Sequence, residues 1–558
     1  MSVSTLPDVI RQLACLAEVR GVNDAVELRL AVPVLDRLRP ADLADLVQRA
    51  RGDQLPEFPG LSPAAVRRLT AVAAGGEDAA LAAARARIPT LLRRLLETGT
   101  ITHEQAAMLA RELGVATLPD LQSAIDDGRI LRAFGSTAER LMQAAAVFAT
   151  ELRPIPLGRA CETLGAVTEL IAAHCPAVDE VVIAGDARRY EPLVSALVLV
   201  AVTSDPPAAL DALAAASGVD DVLHRTGRRA IIVIRQTEVD VRVAAPDDFG
   251  TVLFAATGSR EHVRAVSSRR HRPELCAREA DIYAHSGLAW IPPEVRNGSG
   301  EIEAAASGRL PQLVERRDVR GDLHLHSTYS DGQDTMETMI AAAEAIGYEY
   351  VAITDHSERT AAARTVTLDQ LARQREEIER LRERHPHIAI LHGLEVEILP
   401  DGRLDFSDAV LEQLDIVLAS LHDAARHDGA TLTRRCLRAI RHPLVNVITH
   451  PANRLVGRRG GYPLDYEAIY AAAAETGTAL EIDGAPSHLD LDGEHARAAV
   501  RAGVTVTIDS DCHRARSLDR QMHLGIGTAR RGWVEARHVL NARPLEEVRA
   551  FIQAKRRI

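Results

Sequence analysis

The sequence predicts a multidomain α/β protein whose largest part is a closed or nearly closed parallel barrel. Three observations carry that reading. The chain has 558 residues, too many for one ordinary domain and enough for three or four. From residue 319 onward, strand-like and helical segments alternate, which implies a parallel sheet. Upstream the pattern differs: residues 1–150 read as short amphipathic helices joined by Gly/Pro turns, and residues 151–243 mix a helix with strand-like runs.

Composition narrows the classes. A hydrophobic content of 46% is ample for packed cores. There is no uncharged apolar run of about 18 residues and no basic-then-apolar leader, so the expectation is a soluble cytoplasmic chain without a membrane span. Six scattered cysteines without a Cys-x-x-Cys suit reduced thiols. A net charge of −12 counts against a chain that is basic throughout, as phosphate-tracking domains usually are. Lys555 is the only lysine, so 65 of the 66 basic residues are arginine and no amine upstream can form a Schiff base.

In the helical region, Leu55–Pro63 precedes the helical Ala64–Val72, and Leu131–Thr137 precedes the helical Ala138–Phe148. Both read as helix-hairpin-helix turns. In such turns Gly60 and Gly135 would let the backbone approach a DNA phosphate, and the next helix would offer its N-terminal amides. An ordinary αα-hairpin uses glycine in the same way, so the pattern alone leaves both readings open. Residues 151–243 carry a helix at Leu157–Ala173, then Gly185, Arg188 and Arg189, then strand-like runs at Ala196–Val202 and Ala230–Val243. Asp247-Asp248-Phe249-Gly250 and Thr257–His262 open the next stretch, and residues 296–318 read as a linker.

The last region has strand-like runs at 321–327, 350–356, 388–398, 415–422, 446–451, 479–484 and 504–511. Helices are expected at 335–346, 367–384, 405–414, 431–440, 465–476 and 494–502. In parallel barrels the active site lies at the C-terminal strand ends. Those ends carry His324 and His326, which share a face at spacing i, i+2, with Asp331 just beyond. His356, Glu395, His422 and His450 follow on later strands, and Asp511 and His513 close the set. Nine imidazole or carboxylate groups at one mouth are enough for two or three divalent transition metal ions, Mn²⁺, Zn²⁺ or Fe²⁺. His385, His387, His427, His442, His488 and His495 fall outside the pattern and read as structural.

His-x-His, Ser-Asp-Gly, Thr-Asp-His, Gly-x-Glu, Ser-x-His, His-Pro and Asp-x-His together resemble the polymerase-and-histidinol-phosphatase (PHP) domain over about residues 319–558. The order of regions resembles bacterial family X DNA polymerases over nearly the whole chain. The resemblance implies a helix-hairpin-helix DNA-binding region at 1–150, a nucleotidyltransferase-like palm at 151–243 and a thumb-like part at 244–295. A linker at 296–318 then leads to a distorted (βα)₇ PHP barrel at 319–558. It also implies a metal-dependent phosphoesterase of 3′–5′ exonuclease type in DNA repair, acting on DNA 3′ ends, gaps or single strands. Clustered ions would lower the pKa of a shared water and clamp the attacking and leaving oxygens.

Asp355, beside His356, reads either as a carboxylate that orients an imidazole or accepts a proton or as a buried hydrogen-bonding aspartate, and Arg454 reads either as a phosphate grip or as a solvated arginine. Arg188 and Arg189 match the palm's paired arginines. The family's paired palm aspartates fall on Ala196 and Val198, and only the third carboxylate remains, as Asp240. Alanine and valine cannot ligate a hard cation, so the expectation is a palm without Mg²⁺ and without nucleotidyl transfer. Asp483 and His488 stand where the family's sixth-strand motif has asparagine and arginine. Three other readings compete: an active bifunctional polymerase and exonuclease, a small-molecule phosphatase of histidinol-phosphate type, and a non-catalytic DNA-end-binding scaffold.

Overall fold

The computed structural model describes residues 6–52, 58–269, 274–360, 364–422 and 426–557. Leu55, Pro56 and Glu57 of the first expected hairpin turn, and residues 270–273 of the thumb-like stretch, lie outside the described residues. The chain divides into two compact units. One comprises Met1–Ile155, Ala160–Ala187 and Val194–Ser286; the other comprises Pro156–Arg159, Arg188–Leu193 and Gly287–Ile558.

In the first unit a run of helices from Leu6–Arg20 to Thr137–Glu151 packs around buried Ile10, Leu35, Leu69, Leu92 and Leu109. The expected helix after Gly60 forms as Pro63–Gly75. Ser62 caps it by accepting the Ala65 N–H at 3.2 Å, and Pro63 takes the first helical position, where its missing donor costs nothing. A five-stranded sheet follows: β1 (Glu180–Ile183), β2 (Leu197–Val202), β3 (Asp221–Thr226), β4 (Arg229–Ile234) and β5 (Thr237–Ala244), in the order β1-β2-β5-β4-β3. The expected run Ala230–Val243 is thus two antiparallel strands. Arg235 and Gln236 make the turn between them with φ of 48° and 63°. Both central residues take positive φ without the Asn-Gly or Asp-Gly signal that usually marks such a turn, so the apolar alternation runs through it unbroken.

The second unit holds seven strands: β6 (Gly321–Leu325), β7 (Tyr350–Ile353), β8 (Ala389–Glu397), β9 (Ile416–Ser420), β10 (Val447–Ile448), β11 (Ala479–Asp483) and β12 (Val506–Asp509). They pair in consecutive order, all parallel, with helices between them, as a nearly closed (βα)₇ barrel. All seven coincide with the expected strand runs, shortened at their ends.

Between β12 and β6 the sheet order shows no ladder. One backbone bridge, His326 N–H to Cys512 O at 3.0 Å, crosses the seam, and side chains supply further bonds. Asp509 Oδ1 accepts the Leu323 N–H at 2.8 Å, and Asp322 Oδ1 accepts the Ser510 N–H at 3.3 Å. Asn541 donates to Gly321 O (2.9 Å) and Ile508 O (2.6 Å) and accepts from Ile508 N (3.0 Å). Two C-terminal helices, Leu518–Arg531 and Leu545–Lys555, complete the unit. Val548 and Ile552 of the last helix bury against Leu323, Tyr350, Leu391 and Leu418. Among the described residues no helix is long and apolar enough to cross a membrane.

Candidate metal centre

Because every barrel strand runs the same way, residues at their C-terminal ends share one mouth. His324 lies within β6, and His326 follows one residue after it. Glu395 lies near the end of β8. His422, His450 and Asp511 each stand two residues past β9, β10 and β12. The structure brings the nine expected groups into three sets, the first two sharing His326: His326, Asp331, His356 and His513; His324, His326 and Asp511; Glu395, His422 and His450.

Glu395 is the hub. Its Oε2 lies 2.8 Å from His356 Nδ1, 3.3 Å from His324 Nε2 and 3.5 Å from His326 Nε2, and its Oε1 lies 3.1 Å from His450 Nε2. His326 Nε2 is 3.0 Å from both His324 Nε2 and Asp511 Oδ1. Asp331 Oδ1 lies 3.2 Å from His513 Nε2 and 3.6 Å from His356 Nε2. Asp331 Oδ1 and His356 Nδ1 are buried, and their near neighbours are the His513 ring and the Glu395 carboxylate of the same cluster. Neutral or anionic N and O donors roughly 3 Å apart and aimed at common centres are what a divalent transition metal requires, and this set fits one. His450 and Asp511 hold positive φ of 29° and 48°, backbone that costs a non-glycine residue roughly 1–3 kcal/mol.

The carboxylates of the mouth are held ionised while its imidazoles divide: against burial, neighbouring carboxylates raise His324, His356, His450 and His513, and His326 alone among the shifted donor rings is lowered. Burial would raise the Glu395 carboxyl, but His356, His324 and His450 hold it well below the usual carboxylate range. Burial likewise opposes ionisation of Asp331, yet His513, His356 and His326 bring it down to about 2. Burial and then the neighbouring His513 and His356 push His326 down to about 3, leaving the free imidazole that a metal needs. Carboxylates with low pKa among imidazoles form a cation site without a permanent cation of their own.

Outer partners orient the rings. Glu481 Oε1 lies 2.6 Å from His324 Nδ1, while its Oε2 accepts the His450 N–H at 2.7 Å. Glu397 Oε2 lies 2.9 Å from His422 Nδ1. Fixing the second ring nitrogen sets the tautomer of a ligating histidine. Sequence reasoning missed both roles. The available signal was a fully buried glutamate inside the apolar run Ala479–Asp483, which calls for a partner.

Asp355 and Arg454 are both committed to partners within the protein. Asp355 has both oxygens engaged: Oδ1 accepts from Ser327 N (2.7 Å), Ser330 N (3.2 Å) and Ser330 Oγ, and Oδ2 accepts from Ser327 Oγ (2.6 Å) and Gln374 Nε2 (2.6 Å). It therefore ties down the loop that carries Asp331. Arg454 donates to the carbonyls of His488 (Nε, 2.8 Å) and Leu489 and pairs with Asp492 at 3.1 Å. Its guanidinium braces a loop.

Residues 322–450 match the family model of the PHP domain. The chain is 32% identical over 501 residues to the DNA polymerase/3′-5′ exonuclease PolX of Bacillus subtilis, covering 86% of this chain and 87% of that one. The chain belongs to the bacterial family X DNA polymerases with a C-terminal PHP domain. Its PHP part is also 35% identical over 211 residues to a probable phosphatase of Shewanella sp. strain MR-4, covering 35% of this chain and 77% of that protein. A solved histidinol phosphate phosphatase from Lactococcus lactis, complexed with zinc, histidinol and phosphate, is 19% identical with a TM-score of 0.31 and covers 38% of this chain and 93% of that one. With the PHP domain comes the enzyme class, a metal-dependent phosphoesterase.

The five-stranded sheet, in the stretch expected to be palm-like, is a different electrostatic object. Parallel pairing sets Val198 of β2 directly beside Asp240 of β5. Asp240 is fully enclosed and doubly paired: Arg229 Nε and Nη2 donate to its two oxygens at 2.7 and 2.8 Å, and Arg242 Nε donates to Oδ2 at 3.0 Å. Arg229 also binds Asp120 at 2.7 Å. Burial favours the acid form, but the two arginines hold Asp240 below the usual range.

Gly60 and Gly135 lie exposed at the expected turns with φ of 85° and 49°. Arg188 and Arg189 belong to the second unit. Arg189 is only 8% exposed and lies 3.7 Å from Glu191, to which Arg531 donates at 2.8 Å. The Arg189 carbonyl accepts a further bond from Arg531 at 2.8 Å.

Proposed function

We propose that this chain is a DNA-end-processing phosphodiesterase of 3′–5′ exonuclease type in DNA repair, working in the cytoplasm on 3′ ends, gaps or single strands. Its chemistry lies at the PHP mouth, and its palm has lost nucleotidyl transfer. The observation that carries the first half is the nine-group mouth gathered around Glu395. His324, His326, Asp331, His356, Glu395, His422, His450, Asp511 and His513 would hold two or three Mn²⁺, Zn²⁺ or Fe²⁺ ions. When bound, such ions supply Lewis acidity and a strong nucleophile from water near neutral pH. The protein's own part is geometric: Glu481 and Glu397 fix the rings, Asp355 fixes the loop of Asp331, and the buried walls keep the donors in place. Gly60 and Gly135 would meet the DNA backbone from the helical region, with Arg188 and Arg189 as further contacts.

The second half rests on Asp240. Two permanent guanidinium charges hold the one remaining palm carboxylate, and its β2 neighbour is Val198. Guanidinium does not deprotonate to make room for Mg²⁺.

The test is direct. With Mn²⁺, the intact protein should shorten a 3′-recessed or single-stranded oligonucleotide, and replacing His324 and His326 together by alanine should lower the rate at least 10³-fold. Full activity in that double variant refutes the assignment. Primer extension that incorporates dNTPs and is lost in Asp240→Ala would overturn the inactive palm and restore the bifunctional reading. Hydrolysis confined to small phosphomonoesters would favour the phosphatase reading, and no hydrolysis of either substrate would leave the scaffold.

A further inference from the structure

The stretch expected to be palm-like lends two short segments to the second unit, Pro156–Arg159 and Arg188–Leu193. They are joined to each other, Leu157 N donating to Pro192 O at 3.0 Å. Their anchor is the helix Leu518–Arg531, on which Gly527 and Arg531 stand four apart and share a face. Gly527 is buried, and a methyl carbon there would overlap the Tyr190 ring. Arg531 holds the Arg189 carbonyl and the Glu191 carboxylate, each at 2.8 Å. Tyr190 enters this contact with a φ of 56°, so its ring is aimed by a backbone that the helix pins on either side.

The same segments meet two loops that leave the metal mouth. One follows β10 and begins at His450; the other follows β11. Val456 N donates to Ser487 O at 2.9 Å, and Arg454 holds the carbonyls of His488 and Leu489, so the two loops move as one wall. Leu193 and Pro156 lie against Gly457 of the first loop, where a methyl carbon would come within 3.3 Å of Leu193 Cδ2 and 3.9 Å of Pro156 Cγ. Gly158 abuts Pro486 of the second so closely that a methyl carbon on the glycine would overlap the proline ring. Loops are ordinarily the most mobile part of such a scaffold, and dense packing transmits a displacement instead of absorbing it. Here the wall is set from behind, by residues outside the barrel's own strand and helix repeat.

We propose that Pro156–Arg159 and Arg188–Leu193 are a positioning element of the PHP centre, holding the loops after β10 and β11 where they receive a phosphodiester. Tyr190 is its key positioning residue, acting through the wall and not by touching the metals. The substrate class rests on the phosphodiesterase reading above.

The experiment compares the full chain loaded with Mn²⁺ with its Tyr190→Gly, Gly527→Ala and Tyr190→Phe variants. Tyr190→Gly keeps the turn and removes the ring, Gly527→Ala displaces the ring, and Tyr190→Phe keeps it in place. Four quantities are read: bound Mn²⁺ per chain, calorimetric affinity for inorganic phosphate, and KM and kcat on a single-stranded oligonucleotide. The expectation is equal Mn²⁺ throughout. Tyr190→Gly and Gly527→Ala should raise KM and weaken phosphate binding at least fivefold with kcat little changed, while Tyr190→Phe stays close to the parent. Parental KM and phosphate affinity in both ring variants would overturn the proposal. So would loss of Mn²⁺ in either, which would make the contact a support of the metal site or of the fold alone. Absence of both phosphate binding and cleavage in the parent overturns it together with the phosphodiesterase reading. If phosphate binding depends on the Tyr190 ring while the parent cleaves no oligonucleotide, that reading fails and this one stands.

Discussion

Two buried carboxylates with the same chemistry meet opposite company in this chain. Glu395 faces imidazoles, which give up their protons to a metal; Asp240 faces guanidinium groups, which cannot. Removing Arg229 should therefore leave Asp240 and Asp120 short of their main cation. Arg229→Ala is expected to lower the stability of the first unit by about 3–5 kcal/mol, read as a lower urea midpoint, with no gain in dNTP incorporation. At the metal mouth, Glu481→Gln keeps shape while removing the charge behind His324. Mn²⁺ affinity should fall roughly 10- to 100-fold in a direct titration, and unchanged affinity would remove Glu481 from the centre.

Elements are joined here by a few side chains, and each such junction has its own signature. Asn541 ties β6 to β12 across the barrel seam. Asn541→Ala strands buried backbone groups on Gly321 and Ile508, and a loss of about 2–4 kcal/mol is expected. The loss should appear as faster amide exchange at Leu323 and Ile508 before the rest of the barrel. The C-terminal helix carries Lys555, whose ammonium is buried and donates to Ile440 O at 2.8 Å and to Thr478 Oγ1. Burial pushes it from 10.5 down to about 7. Between those values the unfolded chain binds a proton that the folded chain does not, so stability rises with pH across that window. The limiting slope is about 1.4 kcal/mol per pH unit. Lys555→Met should flatten the pH dependence of the second unit's melting between pH 7 and pH 10; an unchanged slope would show that another group governs it.

At the scale of the whole molecule, two compact units carry two kinds of site. Metal that binds the native PHP mouth and not the unfolded chain stabilises that unit by mass action. Chelation with EDTA should therefore lower the melting transition of the second unit by several degrees and leave that of the first where it was. Scanning calorimetry with and without chelator reads both. A shift of both transitions together would mean that the ions also support the first unit.

The barrel and its mouth were legible because their grammar is local. A β-strand places i and i+2 on one face, parallel strands end together, and six of the seven strand ends each announced a histidine or acid. What the tertiary structure alone decided are pairings between residues far apart in sequence. Glu481 orients His324 from 157 positions away, Arg229 closes over both Asp240 and Asp120, and Asn541 seals a seam that no periodicity marks. The turn at Arg235 and Gln236 escaped because its backbone is left-handed without glycine. Arg454 illustrates the same limit. A sequence names a donor, but only packing decides whether its hydrogens are already taken, and Arg454's are committed to two carbonyls and to Asp492.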